Sequence, residues 1–147
     1  MGRERALRVG ADVAVNAGVD KPYKEVKSAN GGYGVDVAFE FVGMNVVVDQ
    51  AVKSLRRGGR AVIVGIGPEK INIIPPFSFV YNDLELIGSF GSDIADLERL
   101  MNIAASGKVD LSESVSSVIS LSDVNQGISD LENKVGNPVR IVVSMDS

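Results

Sequence analysis

The 147-residue chain is 45% hydrophobic and 23% charged, which fits one soluble domain able to bury a single core. Its net charge of −4, with only Arg56-Arg57-Gly58-Gly59-Arg60 as a short basic stretch, argues against a nucleic-acid partner. No apolar run reaches the roughly 18 residues of a bilayer span, the charged start Met1-Gly2-Arg3-Glu4-Arg5 leads into no secretory signal, and the lack of cysteine excludes a disulfide framework, so no membrane partner and a cytoplasmic location are expected.

Aromatics are scarce at 5% and tryptophan is absent, so Val, Ile, Leu and Ala must build the core, as in strands covered on both faces. In chain order, residues 3–9 are good helix formers, and Gly10 stands where a helix C-cap favours a left-handed residue. The run 12–16 alternates like a short strand. A brief helix is expected over 22–29, with Pro22 in its first turn, followed by the turn cluster Asn30-Gly31-Gly32-Tyr33-Gly34. Residues 35–42 read as a strand closed by Gly43. Residues 46–56 place Val47, Ala51 and Leu55 on one helical face, ending at Gly58-Gly59, and 60–66 form the next strand. The segment 67–82, holding Pro75-Pro76, is expected to be irregular, with a third strand over 84–90. A helix over 93–106 capped by Gly107, a strand at 115–119, a helix at 122–133 with Ser122 as N-cap and Asp123 in its first turn, and a strand at 139–143 complete the pattern. Alternating strands and helices predict βαβ crossovers and a parallel sheet within one domain, residues 1–147.

Ligands in open parallel sheets sit beyond the carboxyl ends of the strands. Three strand ends here carry small residues: Val42-Gly43, Gly65-Ile66-Gly67 and Gly88-Ser89-Phe90-Gly91. Glycine at such an edge either lets a ligand approach the backbone or only permits the turn into the next helix. No G-x-G-x-x-G follows a strand, so no pyrophosphate loop is written in the chain. Without histidine or cysteine, Ser-His-Asp and Cys-His catalysis are excluded, and a zinc site would need carboxylates alone. The strand-borne acids Asp36, Glu40, Asp83 and Glu85 remain as titratable candidates. Glu40, between Phe39 and Phe41, is expected to be structural, either buried and satisfied or facing an absent neighbour. Ser89 lacks a base and the nucleophile-elbow spacing, so a backbone contact is its expected role.

The order of motifs is Gly10-Ala11-Asp12, then DVAFEFVG over 36–43, LRRGGRAVIVG over 55–65, Leu86-Ile87-Gly88-Ser89-Phe90, and a helix ending Ala104-Ala105-Ser106-Gly107-Lys108-Val109. This order resembles the C-terminal part of the medium-chain alcohol dehydrogenases, the zinc-dependent group and its quinone reductase relatives. The resemblance implies an α/β fold: a partial Rossmann-type parallel sheet with flanking helices, its first two strands and Gly-rich loop missing. It also implies an NAD or NADP site, with Val42 and Gly43 against the ribose region, Gly65 and Ile66 beside the nicotinamide ribose, and backbone groups of Ser89 and Phe90 on the carboxamide. No residue here is assigned to catalysis, and zinc has no support in a chain without Cys or His.

The family's pyrophosphate arginine after glycine has no counterpart, because Gly136 is followed by Asn137. The resemblance further implies an oxidoreductase fragment that contributes the nicotinamide side of the site and is inactive alone. With strand order 3-2-1-4-5-6, the 12–16 strand would lack neighbours and 35–42 would become an apolar edge. Either the first strand then slides in beside 35–42, or a homodimer covers the edge; the family's dimerising strand, matched by 84–90, points to a dimer too. The alternatives are a methyltransferase-like Rossmann fragment, whose tail should be an antiparallel hairpin, and a non-catalytic nucleotide-binding or assembly module.

Overall fold

The computed structural model describes residues 2–18 and 21–145, which fall into two compact units, one ending at Gly91 and the other starting at Ser92. In the first, helix α1 (Gly2–Arg8) ends as expected, with Gly10 at φ +107. The strand expected over 12–16 does not form. No described strand pairs with that run, and an extended segment without a ladder gains no hydrogen bonds for the order it costs. The chain there closes a local turn instead, the Gly18 N–H donating to Asn16 Oδ1 at 3.1 Å. Sliding in beside 35–42, the other possibility, is likewise not seen.

Helix α2 (Pro22–Ala29) carries its proline at the helix start, where the missing N–H costs nothing. Strand β1 (Val35–Glu40), helix α3 (Asn45–Ser54), strand β2 (Leu55–Ile63), the short helix α4 (Pro76–Tyr81) and strand β3 (Glu85–Gly88) follow. The three strands form one parallel sheet in the order β1-β2-β3.

Several boundaries differ from the sequence reading. Helix α3 stops before Gly58-Gly59, and β2 begins at Leu55, absorbing the glycine pair in a register shift between Val35 and Val37. Gly58 sits at φ +70, and its N–H donates to the Asn82 carbonyl at 2.8 Å. Within 67–82, expected to be irregular, Pro76 starts α4, whose Phe77 and Tyr81 rings stack at 5.7 Å.

The core lies on one face of this sheet. Val48 and Val52 of α3 are buried with Leu55 and Ala61, and Ala38, Ile74, Phe79 and Leu86 pack around Val52, Leu55 and Ala61. The opposite face aligns Phe39, Val62 and Ile87 across the strands, and Phe39 and Ile87 are exposed. At the start of the strands Arg56 pairs with Asp36, Arg57 with Asp83 and Arg60 with Glu85, all solvent-exposed.

The second unit contains α5 (Ile94–Ala105), β4 (Ser117–Ser120), α6 (Val124–Glu132) and β5 (Ile141–Ser144). Asp93 caps α5 through a reciprocal box with Asp96, and Gly107 at φ +71 follows its end. The expected N-cap of α6, Ser122, lies instead in a 3-10 turn, Leu121–Asp123. Its hydroxyl is engaged with Ser120 Oγ at 2.6 Å, and Asp123 takes the cap position. Strands β4 and β5 pair in parallel, joined through α6, whose buried Gly127 faces Ile119 and Ile141. This tail is not the antiparallel hairpin expected of a methyltransferase-like fragment.

Candidate functional site

The carboxyl ends of β1 and β2 are held together by one residue. Glu40, the last residue of β1, is 1% exposed. Its Oε1 accepts the Val42 N–H at 2.7 Å and the Gly43 N–H at 2.9 Å, and Oε2 also accepts from Gly43 at 3.1 Å. This inward pull ends β1 at Glu40, two residues short of the strand expected over 35–42. The Glu40 carbonyl accepts the N–H groups of Val64 and Gly65 at 2.8 and 3.0 Å, which ends β2 at Ile63 instead of Ile66. Both strand-end loops therefore hang from Glu40, through its side chain on one side and its main chain on the other.

The glycines between these loops have a packing reason of their own. Gly43 is at φ +82, and a Cβ there would lie 2.6 Å from the Gly67 nitrogen. A Cβ on Gly65 would overlap the backbone of Val42 and Gly43, and one on Gly67 would overlap the Gly43 carbonyl. The two loops touch backbone to backbone, and only glycine permits that approach. Beyond them, Glu69 Oε2 accepts the Asn45 N–H at 2.8 Å, tying the second loop to the start of α3 and putting an acid where the helix dipole favours it.

At the third strand end, the Ser89 N–H donates to the Ile63 carbonyl at 2.9 Å. That N–H is thus committed within the sheet, and the Ser89 carbonyl and Phe90 N–H are the main-chain groups left at this end. The N–H groups of Val42 and Gly43 are committed to Glu40 in the same way. The six expected residues, Val42, Gly43, Gly65, Ile66, Ser89 and Phe90, line one end of the three-stranded sheet, with Val42, Ile66 and Phe90 exposed. Glu40 is structural, buried and satisfied, the first of the two alternatives expected of it, and Gly67 stands at the strand end where the sequence places it. What the sequence does not show is that Glu40 joins two strand ends and that Gly67 packs on Gly43. An acid set between two phenylalanines and followed three residues later by glycine was the available signal.

No group of three or more His, Cys, Asp or Glu side chains clusters among the described residues, and the chain has no His or Cys, so its residues do not fit a zinc site. No described helix is long and apolar enough to cross a membrane. A solvent-open groove of about 560 Å³, lined by Tyr23, Lys27, Val52, Leu55, Ile74 and Leu84 among others, opens where β2 and β3 begin, at the far end of the sheet from the glycine loops.

A family model described as zinc-binding dehydrogenase matches residues 2–106. An alcohol dehydrogenase of Geobacillus stearothermophilus is 36% identical over 121 residues, 82% of this chain and 35% of its own length. An NAD-dependent alcohol dehydrogenase of Saccharolobus solfataricus is 26% identical over 130 residues, covering 88% of this chain and 37% of its own. Among solved structures, the alcohol dehydrogenase of Aeropyrum pernix superposes with a TM-score of 0.81 at 32% identity, over 96% of this chain and 39% of that one. The chain therefore spans 35% and 37% of the two curated relatives and 39% of the solved one.

Proposed function

The chain belongs to the zinc-binding dehydrogenase family, and on that premise we propose that its first unit forms the nicotinamide side of a dehydrogenase cofactor site. The observation that carries this reading is the set of three parallel strand ends, two of which are pressed together through Gly43, Gly65 and Gly67. Ligands of open parallel sheets sit beyond such strand ends, and the glycines let the two loops close into one edge that carries the exposed Val42 and Ile66 side chains. Val42 and Gly43 meet the ribose region, Gly65 and Ile66 lie beside the nicotinamide ribose, and the Ser89 carbonyl and Phe90 N–H receive the carboxamide. The cofactor, NAD or NADP, supplies the hydride acceptor or donor when bound.

What this chain contributes is binding and orientation. It has no imidazole or thiol to move a proton or hold a metal at this edge, so the hydride transfer of the longer relatives needs groups from outside these residues. The chain alone binds the nucleotide and does not turn over an alcohol. Two copies pair through sheet edges, since β1 and β3 each have one side without a described partner strand and Phe39 and Phe41 are exposed on β1 and just past it.

Titration with NADH, NADPH and S-adenosylmethionine, read as thermal stability, tests the first claim. A ligand at ~100 times its dissociation constant adds roughly 2.7 kcal/mol. Stabilisation by NADH or NADPH alone is expected, and stabilisation by none of the three, or only by the methyl donor, overturns the reading. Sedimentation at micromolar concentration checks the pairing, where a monomer throughout would refute it.

A further inference from the structure

We propose that Glu40 is a positioning residue for the nucleotide: it fills the amide nest at the end of β1 and thereby shapes the 42–43 loop to take the sugar of the nucleotide and not its phosphates. The inference rests on the nicotinamide reading above and adds a residue and a selectivity to it. Consecutive main-chain N–H groups converging on one point, with a positive φ beside them, make a concavity that ordinarily binds an anion. Here the N–H groups of Val42 and Gly43 converge, Gly43 is at φ +82, and the anion is the protein's own carboxylate at 2.7 to 3.1 Å.

A buried carboxylate is costly, and an apolar side chain of similar volume would serve a core as well. Glu40 is 1% exposed, its two oxygens are occupied by those backbone N–H groups, and it forms no ion pair among the described residues. It is thus poorly explained as a stabilising charge pair and well explained as an internal plug. With both N–H groups committed to the Glu40 carboxylate, the loop leaves neither of them free to bind a phosphate, so it meets the sugar, which needs no such donors. The Glu40 carbonyl adds a second hold, fixing Val64 and Gly65, so one residue sets the spacing of two of the three strand ends.

The test compares NADH affinity, read from NADH fluorescence, for the whole chain and the variants Glu40→Gln, Glu40→Ala and Val52→Ala, all well below their melting temperatures. Glutamine keeps one acceptor oxygen but sets an NH2 donor against the Gly43 N–H, so a loss of about 3- to 10-fold is expected, and alanine should lose more than 10-fold. Val52→Ala, a core truncation away from the loops, should leave the affinity unchanged. In Glu40→Ala the Gly43 amide resonance should also move on adding inorganic phosphate, which in the native chain finds the nest filled.

If Glu40→Ala fails to fold, Glu40→Gln still decides the matter. Native affinity in the Glu40 variants, or an equal loss in Val52→Ala, overturns the positioning role while leaving the nicotinamide reading intact. No NADH binding by the native chain overturns both.

Discussion

Replacing Gly43 by alanine drives a methyl group into the contact between the two strand-end loops. Two costs add. The residue sits at φ +82, which for a non-glycine costs roughly 1–2 kcal/mol. The new Cβ would also lie 2.6 Å from the Gly67 nitrogen and 2.7 Å from the Ile66 carbonyl oxygen. Both are backbone atoms, which cannot swing aside as a side-chain tip would, so overpacking adds about 1–3 kcal/mol. The sum, roughly 2–5 kcal/mol, is a large share of the ~5–15 kcal/mol that holds a domain folded. Gly91→Ala separates the terms, because Gly91 is at φ +62 with no atom within 4 Å of its would-be Cβ. Urea unfolding of both variants, with m-values unchanged, should place Gly43→Ala about 1–3 kcal/mol below Gly91→Ala. Equal stability within ~0.5 kcal/mol would refute the claim that the loops touch through this glycine.

Further outcomes are expected elsewhere. Val52→Ala removes two methyl groups from a side chain 1% exposed, and should cost roughly 1.5–3 kcal/mol in the same assay. Asp93→Ala removes the acceptor that caps α5 and breaks its reciprocal box with Asp96, so about 0.5–2 kcal/mol of local helix stability should be lost, visible as faster amide exchange over 94–97. The hydrogen bond and charge of Arg60 hold the Glu85 carboxyl below its ordinary value. A carboxylate with a depressed folded pKa stabilises above its unfolded pKa and loses that contribution as pH falls through the folded value. Carbon-13 titration should therefore place Glu85 below the usual glutamate range near 4.3, and Arg60→Gln should return it there.

Much of the order of elements was legible in the sequence because hydrophobic period and turn residues are local signals. The apolar run from Val35, the Val-rich helix before Gly58-Gly59 and the capped helix after Asp93 each carry their own pattern. What failed was whatever depended on a partner. The 12–16 run alternates like a strand, yet alternation supplies no ladder, and without a neighbour it stays irregular. Strand ends were misplaced for a related reason. Phe41 and Val42 continue the β-forming composition of their strand, but the Glu40 carboxylate draws the chain inward at Val42.

The sequence by itself determined the α/β class, the alternation of strands and helices that makes parallel pairing, the glycine-rich strand ends, the family, and the absence of any Cys or His ligand, while the division of the strands between two sheets came only with the structure. It also marked the six residues at the strand ends, since glycine and short loops there are written in the local chain. Only the tertiary structure decided why those glycines are needed. Gly43 is distant in sequence from Gly65 and Gly67 and meets them only when β1 and β2 pair, so the backbone contact that demands them exists in no segment alone. The same holds for Glu40, whose burial depends on the sheet and on the helix packed against it.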